Sequence, residues 1–385
     1  MHVLFIPKWY PGRNDPQLGD FLRKQAAAVA TYVRLSVLFI APDVNARKRY
    51  EEELTEAEGL WELRVHYRAS THAFRPFRKG INFLRYWRAA MRGYRRVREQ
   101  RGKPDLTHAY ILVRPALVAW WLKQRWGIPY LVSEQSSEYL DGTYAGKSAV
   151  VKGVHRALFR AASGVSVVSA WLGDALVNAG LCTDPDIVPN VVPGLDRPLP
   201  PPGPPGDFLM VADLVDRTKN ISGVLRALTV ARNGDPRIRL TVIGDGPDRA
   251  ELQSLAQELG TNGSVTFLGR LPNAEVLDHM GNAGAVVVNS RVETFSVVTG
   301  EALAQGKPVI ASRCGGPVAF INDRNGILID VGDDHALSLA MLSIANAEAG
   351  YSAQEIRAGV SDRFSPKAVG NALAAIYERI HHGRG

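Results

Sequence analysis

Residues 291–317 read RVETFSVVTGEALAQGKPVIASRCGGP, and this stretch decides the architecture. Just before it, Gly284 to Ser290 (GAVVVNS) is an apolar, β-branched run, too short for a buried helix, and predicts a buried parallel strand. Just after the helix-forming segment, Lys307 to Ala311 (KPVIA) predicts the next strand. Strand, helix and strand in succession are the repeating unit of an open α/β sheet. On this reading Glu293 stands at the C-terminal end of a strand, and Glu301 lies one to two turns into the following helix. The amides of Thr294, Phe295 and Ser296 gather at that helix's N-terminus, where unpaired N–H groups and the helix dipole favour an anion. Open α/β sheets bind their ligands at this edge.

An E-x7-E pair taken alone is more often a cap-region acid followed by a solvated helix acid. Here the two carboxylates flank a phosphate-sized anion hole, which suits a ligand with hydroxyls at both ends, such as a nucleotide sugar.

The chain has 385 residues, enough for two domains with sizeable cores. Its 46% hydrophobic and 22% charged content is that of an ordinary globular protein. Cys182 and Cys314 are far apart and in no metal-ligand spacing, which suits a reducing compartment. No secretory signal pattern and no apolar run of about 18 residues is present, so a cytoplasmic location is expected. The net charge of +8 is concentrated: Arg75 to Lys103 carries eleven Lys and Arg against one acid, Glu99. Ile81 to Gln100 has Leu84, Trp87, Met91 and Tyr94 at helical spacing, predicting a stripe against the sheet with arginines around the rest. The outer face either meets water or docks on an anionic membrane surface. No nucleic-acid-binding pattern accompanies the patch, so nucleic acid is not an expected partner.

The first half opens with strand His2–Ile6, a long loop (PKWYPGRNDPQLG) and a helix from Asp20 to Thr31. Loops this long inside α/β units are more often functional than idle. Arg47 to Glu58 reads as a surface loop or short helix. Pro193 to Asp207 (PGLDRPLPPPGPPGD) reads as a linker. The expected division is therefore 1–192, a linker over 193–207, 208–364, and a closing helix over 365–385 with Ser365 at its N-cap and Pro366 at N1. Gly244-Asp245-Gly246 is not a dinucleotide fingerprint, because Arg249 occupies the third glycine position. Asp184-Pro185-Asp186 reads as a turn rather than a metal site, and no metal or other cofactor is expected.

Glu-Thr-Phe-Ser, Glu-Ala-Leu-Ala, Gly-Lys-Pro-Val-Ile-Ala and Cys-Gly-Gly-Pro, in this order, resemble the donor-site signature of retaining glycosyltransferases of the GT-B fold, family 4 (glycosyl transferases group 1). The opening strand, Trp-Tyr-Pro loop, glycine and Ala-rich helix resemble the same family, as do Ile187-Val188-Pro189-Asn190 and Lys219-Asn220. The resemblance implies two Rossmann-like, doubly wound domains facing a central cleft, with a C-terminal helix crossing back to the first. It implies a UDP- or GDP-sugar donor and a glycan or lipid-linked acceptor. Glu293 would hold the donor sugar and act with Gln135 in catalysis. Glu301 would hold the ribose, and Thr294, Phe295, Ser296 and Val297 the sugar and diphosphate. Lys219 and Arg217 would hold the diphosphate, with Gly19, Gly246 and Leu271 also lining the donor, and Trp9, Tyr10 and Arg13 would meet the acceptor.

Two positions depart from the family pattern. Ser296 stands where Gly is usual, and Gln135 where His is usual, so the latter position can donate a hydrogen bond but not titrate. Two other readings stay open at this point: a nucleotide-binding protein of the same fold without turnover, and a GT-B enzyme of other chemistry, such as a sugar-nucleotide epimerase or a phosphorylase.

Overall fold

The computed structural model describes residues 1–347 and 350–383. It divides into two compact units, Met1–Val191 with the C-terminal segment from Pro366, and Val192–Ser365.

The first unit carries strands β1 (His2–Pro7), β2 (Arg34–Asp43), β3 (Tyr50–Ala57), β4 (Leu60–Arg68), β5 (Leu106–Tyr110), β6 (Tyr130–Glu134), β7 (Gly164–Val167) and β8 (Asp186–Ile187). They lie in the order β3-β4-β2-β1-β5-β6-β7-β8, parallel except for the β3–β4 hairpin. The second unit carries β9 (Asp207–Val211), β10 (Arg239–Ile243), β11 (Val265–Gly269), β12 (Ala285–Val288), β13 (Val309–Ser312) and β14 (Gly326–Ile329). Their order is β11-β10-β9-β12-β13-β14, and every pairing is parallel. Both sheets are of the Rossmann-like, doubly wound kind. Strand order reverses between β1 and β5 in the first unit and between β9 and β12 in the second, and the crevice at such a reversal is where these sheets take ligands.

The strands read as short apolar runs because helices cover both faces. Every residue of β12 and β13 is buried, and the second core gathers Phe208, Met210, Val224, Leu228, Val287 and Met341.

Four features differ from the sequence reading. Residues 50–57 form β3 rather than a loop or helix, because YEEELTEA pairs residue for residue with β4. Glu52, Glu53 and Glu56 are exposed on this edge strand, where charge discourages further pairing. The basic helix spans Arg75–Arg101, and its buried face is Tyr86, Ala89, Ala90, Gly93, Tyr94 and Val97; Leu84 is exposed, and Trp87 and Met91 sit at the margin of the core. The small residues decide this: a methyl group on Gly93 would lie 2.4 Å from Leu38 Cδ1, so the backbone approaches β2 where a bulky stripe could not. The Pro/Gly run 193–207 packs with the second unit instead of standing off as a linker. Gly203 lies flush on the Asn282 and Ala283 carbonyls, and Lys307 Nζ donates to the Pro201 carbonyl at 3.1 Å. A helix over Ala353–Phe364 had no counterpart in the sequence reading.

The closing helix, Pro366–His382, belongs to the first unit. Gly370 lets it lie against Ala28 of helix Asp20–Ala30, and Tyr377 Oη meets His108 Nδ1 at 2.6 Å in the buried core. Arg379 pairs with Asp186, which gives the second acid of the Asp184-Pro185-Asp186 turn a partner within the protein. Among the described residues no helix is long and apolar enough to cross a membrane.

Candidate functional site

In the second unit, β9 and β12 flank the reversal of strand order, and each delivers one charged residue there. Beyond β9 a single helical turn, Asp216–Lys219, is set by its own side chains. Asp216 accepts from the Ser222 amide and hydroxyl, each at 2.7 Å, while its own amide donates to Asp248 Oδ2 at 2.7 Å. Asn220, with φ of 49°, turns the chain sharply into the next helix, and Arg291 donates to its Oδ1 at 2.8 Å. Lys219 Nζ then reaches Glu293 Oε1, beyond β12, at 2.5 Å, and Ser290 Oγ donates to the same oxygen at 2.8 Å. Burial opposes the Lys219 charge, but the Glu293 carboxylate and its hydrogen bond outweigh it and raise the lysine pKa. The ammonium therefore stays charged through neutral and mildly alkaline pH.

The Glu293 loop is tied to the segment after β13. The Glu293 amide donates to the Cys314 carbonyl at 2.9 Å, and the Gly316 amide donates to the Glu293 carbonyl at 2.8 Å, extending the β12–β13 pairing past the strand ends. A methyl on Gly316 would sit 2.4 Å from the Phe295 carbonyl carbon, which explains glycine in Cys-Gly-Gly-Pro. Glu301 is on helix Val297–Ala304, which is buried nearly all round. Gly300 fits under Val192 there, and Asn273 Nδ2 donates to Glu301 Oε1 at 2.7 Å. That bond brings the Leu271 segment, which precedes helix Asn273–Asn282, to Glu301.

Ser296 caps helix Val297–Ala304 with φ of 70°, in the left-handed region that favours glycine, and its hydroxyl meets Thr299 Oγ1 at 2.8 Å. A side chain there costs about 1 kcal/mol, while glycine costs a similar amount of chain entropy and would lose a hydrogen bond worth about 1 kcal/mol. Ser296→Gly is therefore expected to change stability by less than about 1 kcal/mol. Ser296→Val, which keeps the strain, adds a β-branch and loses the bond, is expected to cost about 2–3 kcal/mol in urea unfolding.

Other expected site residues are placed differently. Phe295 is a core side chain, 4% exposed, packed edge-to-face against Phe320 and Phe364, so only its backbone is available to a ligand. Arg217 is exposed, and Gly246 lies at the end of β10 with its amide bonded to Asp245 Oδ1 at 2.8 Å. Thr294 and Val297 stay half-buried at the loop and the first helical position.

In the first unit the β1 loop is held from below. Tyr10 is fully buried, and its hydroxyl donates to Glu62 Oε1 at 2.5 Å. Arg23 and Arg64 also meet the Glu62 carboxylate, at 3.1 and 3.3 Å. Arg13 forks onto Asp43 and Glu51. Neither Tyr10 nor Arg13 is thus offered to an acceptor: both anchor the loop to β2, β3 and β4, leaving Trp9, half-buried with Lys8 Nζ 5.1 Å above its ring, as the loop's presented aromatic. Gly19, with φ of 66°, starts helix Asp20–Ala30, and the space a side chain would fill is taken by the Trp9 backbone, 2.5 Å away, so its glycine is accounted for by the loop itself.

Gln135, at the end of β6, is 7% exposed, and its side-chain amide makes no hydrogen bond among the described residues. Beside it Glu134, which carried no role in the sequence reading, is 1% exposed and accepts from the amides of Leu112, Gln135 and Ser136 at 3.1, 2.9 and 2.9 Å. Burial pushes its pKa up against those three donors. It clamps the β5 end, where Ile111 and Val113 take φ of 64° and 73°. Strain at such residues persists only where surroundings over-determine it, and it gathers at functional edges. The available signal was an acid closing an otherwise buried run, YLVSE. Among the described residues no group of three His, Cys, Asp or Glu is placed to hold a metal ion.

Two family models match in succession, a glycosyl transferase 4-like domain over residues 22–191 and glycosyl transferases group 1 over residues 195–358. A lipopolysaccharide core biosynthesis glycosyltransferase of Rhizobium meliloti is 32% identical over 195 residues, 48% of this chain and 54% of that protein, so the match spans about half the relative's length. A glycogen synthase of Mycobacterium tuberculosis is 27% identical over 297 residues, 73% of this chain and 70% of its own. The solved Anabaena HepE structure in complex with UDP covers 98% of this chain and 100% of its own at 18% identity, with a TM-score of 0.70, which shows the fold. With consecutive family models spanning nearly all of both units, and two Rossmann-like sheets beneath them, the chain belongs to the glycosyl transferases group 1 and has the GT-B fold.

Proposed function

We propose that the protein is a retaining, metal-independent glycosyltransferase. It moves a sugar from a UDP- or GDP-sugar to a hydroxyl of a glycan or lipid-linked acceptor, in lipopolysaccharide, polysaccharide or glycolipid synthesis. The observation that carries this reading is the Lys219–Glu293 pair at the strand-order reversal, with the buried Glu301 carboxylate one helix away. The Anabaena neighbour's UDP supports a nucleotide donor, and the Rhizobium relative supports a lipopolysaccharide-type product.

Lys219 carries the positive charge that a departing diphosphate needs, and the amides opening helix Val297–Ala304 add aligned donors. Glu293 accepts from the sugar hydroxyls and lies beside the positive charge that develops on the ring. Glu301 accepts from the ribose. The bond from the anomeric carbon to the phosphate oxygen breaks, and the acceptor oxygen bonds to that carbon on the same face. The acceptor's proton passes to the departing phosphate oxygen, so no titrating side chain is needed at position 135, and Gln135 serves as a hydrogen-bond donor. The first unit supplies acceptor contacts through Trp9, and its basic segment, Arg75 to Lys103, holds the protein against an anionic, cytoplasmic membrane face.

A ligand that binds only the folded state raises the melting temperature, with about 2.7 kcal/mol of stabilisation at a hundredfold excess over Kd. One of UDP and GDP is expected to give a shift that magnesium does not alter, with ADP, CMP and NAD giving none. Turnover of the corresponding sugar nucleotide then separates an enzyme from a nucleotide-binding protein, which would show the shift and no transfer. No shift with any nucleoside diphosphate would refute the donor site.

A further inference from the structure

The first three turns of helix Arg75–Arg101 lie beyond the core, whose contact with the helix begins at Tyr86. Phe74, Phe77, Phe83 and Leu84 are 63, 60, 41 and 56% exposed, far more apolar surface than a solvated helix end calls for. Beside them is a cavity of about 460 Å³ lined by Arg49, Arg68, Ser70, Thr71, His72 and Arg85. The cavity is built: Arg85 donates to the Arg68 carbonyl at 2.6 Å, the Arg68 amide donates to the Arg49 carbonyl at 3.0 Å, and the Ser70 amide is fixed by Asn82 Oδ1 at 2.7 Å. No acid lines it, and none occurs in the sequence between Glu62 and Glu99. Arg13, Arg23 and Arg92 of this unit are paired with carboxylates, whereas the Arg49 and Arg68 guanidiniums have no carboxylate partner among the described residues and face the cavity. Arg68 closes β4, so the cavity opens on the same strand-end edge as the Trp9 loop.

We infer that this cavity seats the phosphate of an anionic phospholipid while Phe74, Phe77, Phe83 and Leu84 enter the acyl boundary beside it. The inference deepens the membrane contact proposed for the basic segment and rests on it. It adds a defined headgroup site and an apolar wedge to what would otherwise be diffuse charge attraction. Three arginines and two short hydroxyl side chains around a pocket of this size match a phosphodiester, and side chains without hydrogen-bonding tips, Leu84 among them, match hydrocarbon better than nucleobases.

The test is sedimentation of the full chain with phosphatidylcholine vesicles, with and without about one-third phosphatidylglycerol, at physiological salt. Arg49→Ala with Arg68→Ala is compared with Arg95→Ala with Arg96→Ala, a control that removes the same charge from exposed positions of helix Arg75–Arg101, away from the cavity. All four side chains are exposed, so each variant is expected to keep the wild-type melting temperature. Wild type is expected to bind the anionic vesicles. Ordinary surface charge accounts for about fivefold per arginine, and the cavity pair is expected to lose at least about tenfold more than the control. Phe74→Ser with Phe77→Ser is expected to abolish the binding that survives about 0.5 M salt, because screening removes the charge component and leaves the apolar one. No binding by wild type overturns the membrane contact itself. Binding with equal loss in the two arginine pairs overturns the headgroup site alone. Displacement from vesicles by about 10 mM inorganic phosphate identifies a soluble phosphate as the occupant, and displacement by a single-stranded oligonucleotide identifies a nucleic acid; either result overturns the proposal.

Discussion

Lys219→Met is expected to lower the rate of sugar transfer by about 10²–10³-fold, the range seen when a preorganised group facing developing charge is removed. The effect is large because the lysine does two things. Its ammonium lies beyond the end of β9, where the proposed diphosphate would leave, and it holds Glu293 at 2.5 Å. Methionine preserves the chain's length and packing while deleting the charge, so the loss reports electrostatics rather than shape. Lys219→Arg keeps the charge but spreads it over a planar fork that the compact pocket was not built for, and it is expected to recover about a tenth of the wild-type rate. Steady-state kinetics with the nucleotide sugar identified by thermal shift would decide. Lys219→Met retaining a rate within threefold of wild type would remove the lysine from the mechanism.

Glu301→Ala is the second large expectation, and it acts on binding. The carboxylate is 5% exposed and held by Asn273 at 2.7 Å, so it is preorganised to accept two ribose hydroxyls. Hydrogen bonds to a charged acceptor are worth about 1.5–3 kcal/mol each, and part of that offsets desolvation. The Kd for the nucleoside diphosphate is accordingly expected to rise by about 10²-fold, with Glu301→Gln near tenfold. Affinity for inorganic pyrophosphate is expected to stay unchanged, because the proposed site puts the nucleoside end at Glu301 and the phosphates at Lys219 and the helix amides. Calorimetric titration of both ligands tests the assignment, and an equal loss for both would move Glu301 to the phosphate side. The alanine variant also leaves Asn273 without this acceptor, so a stability loss of about 1–3 kcal/mol is expected beside the binding defect.

The second unit was largely legible in its sequence. Its strands are short β-branched runs buried on both faces, and Glu293 and Lys219 lie in the segments that follow β12 and β9, with Glu301 on the helix after Glu293, so chain order sets much of their location. Glu293 and Lys219 thereby come to the reversal of strand order, where they pair. The first unit was less legible where its loops borrow partners from distant chain. Tyr10 and Arg13 read as presented loop side chains, yet a hairpin 38 to 52 residues downstream brings Glu51 and Glu62 under them. Phe295, in the middle of the donor signature, is drawn into an aromatic cluster by Phe364, from a helix the sequence reading did not contain. The basic helix buries its alanines and glycine because β2 lies too close for Leu84 or Trp87, a distance that helical periodicity does not encode.

By itself, then, the sequence determined the doubly wound architecture, the family, and the sheet edge proposed here for the donor. All three depend on hydrophobic period and on motifs whose residues are near neighbours along the chain. Tertiary structure alone decided which charged and aromatic side chains are spent on anchoring loops and which remain for a ligand. It also revealed the arginine-lined cavity beside the exposed phenylalanines. The reason is physical: a polar side chain's availability depends on whether a partner reaches it in space. For Arg13 the partners are Asp43 and Glu51, and for Arg49 and Arg68 no carboxylate among the described residues comes within reach.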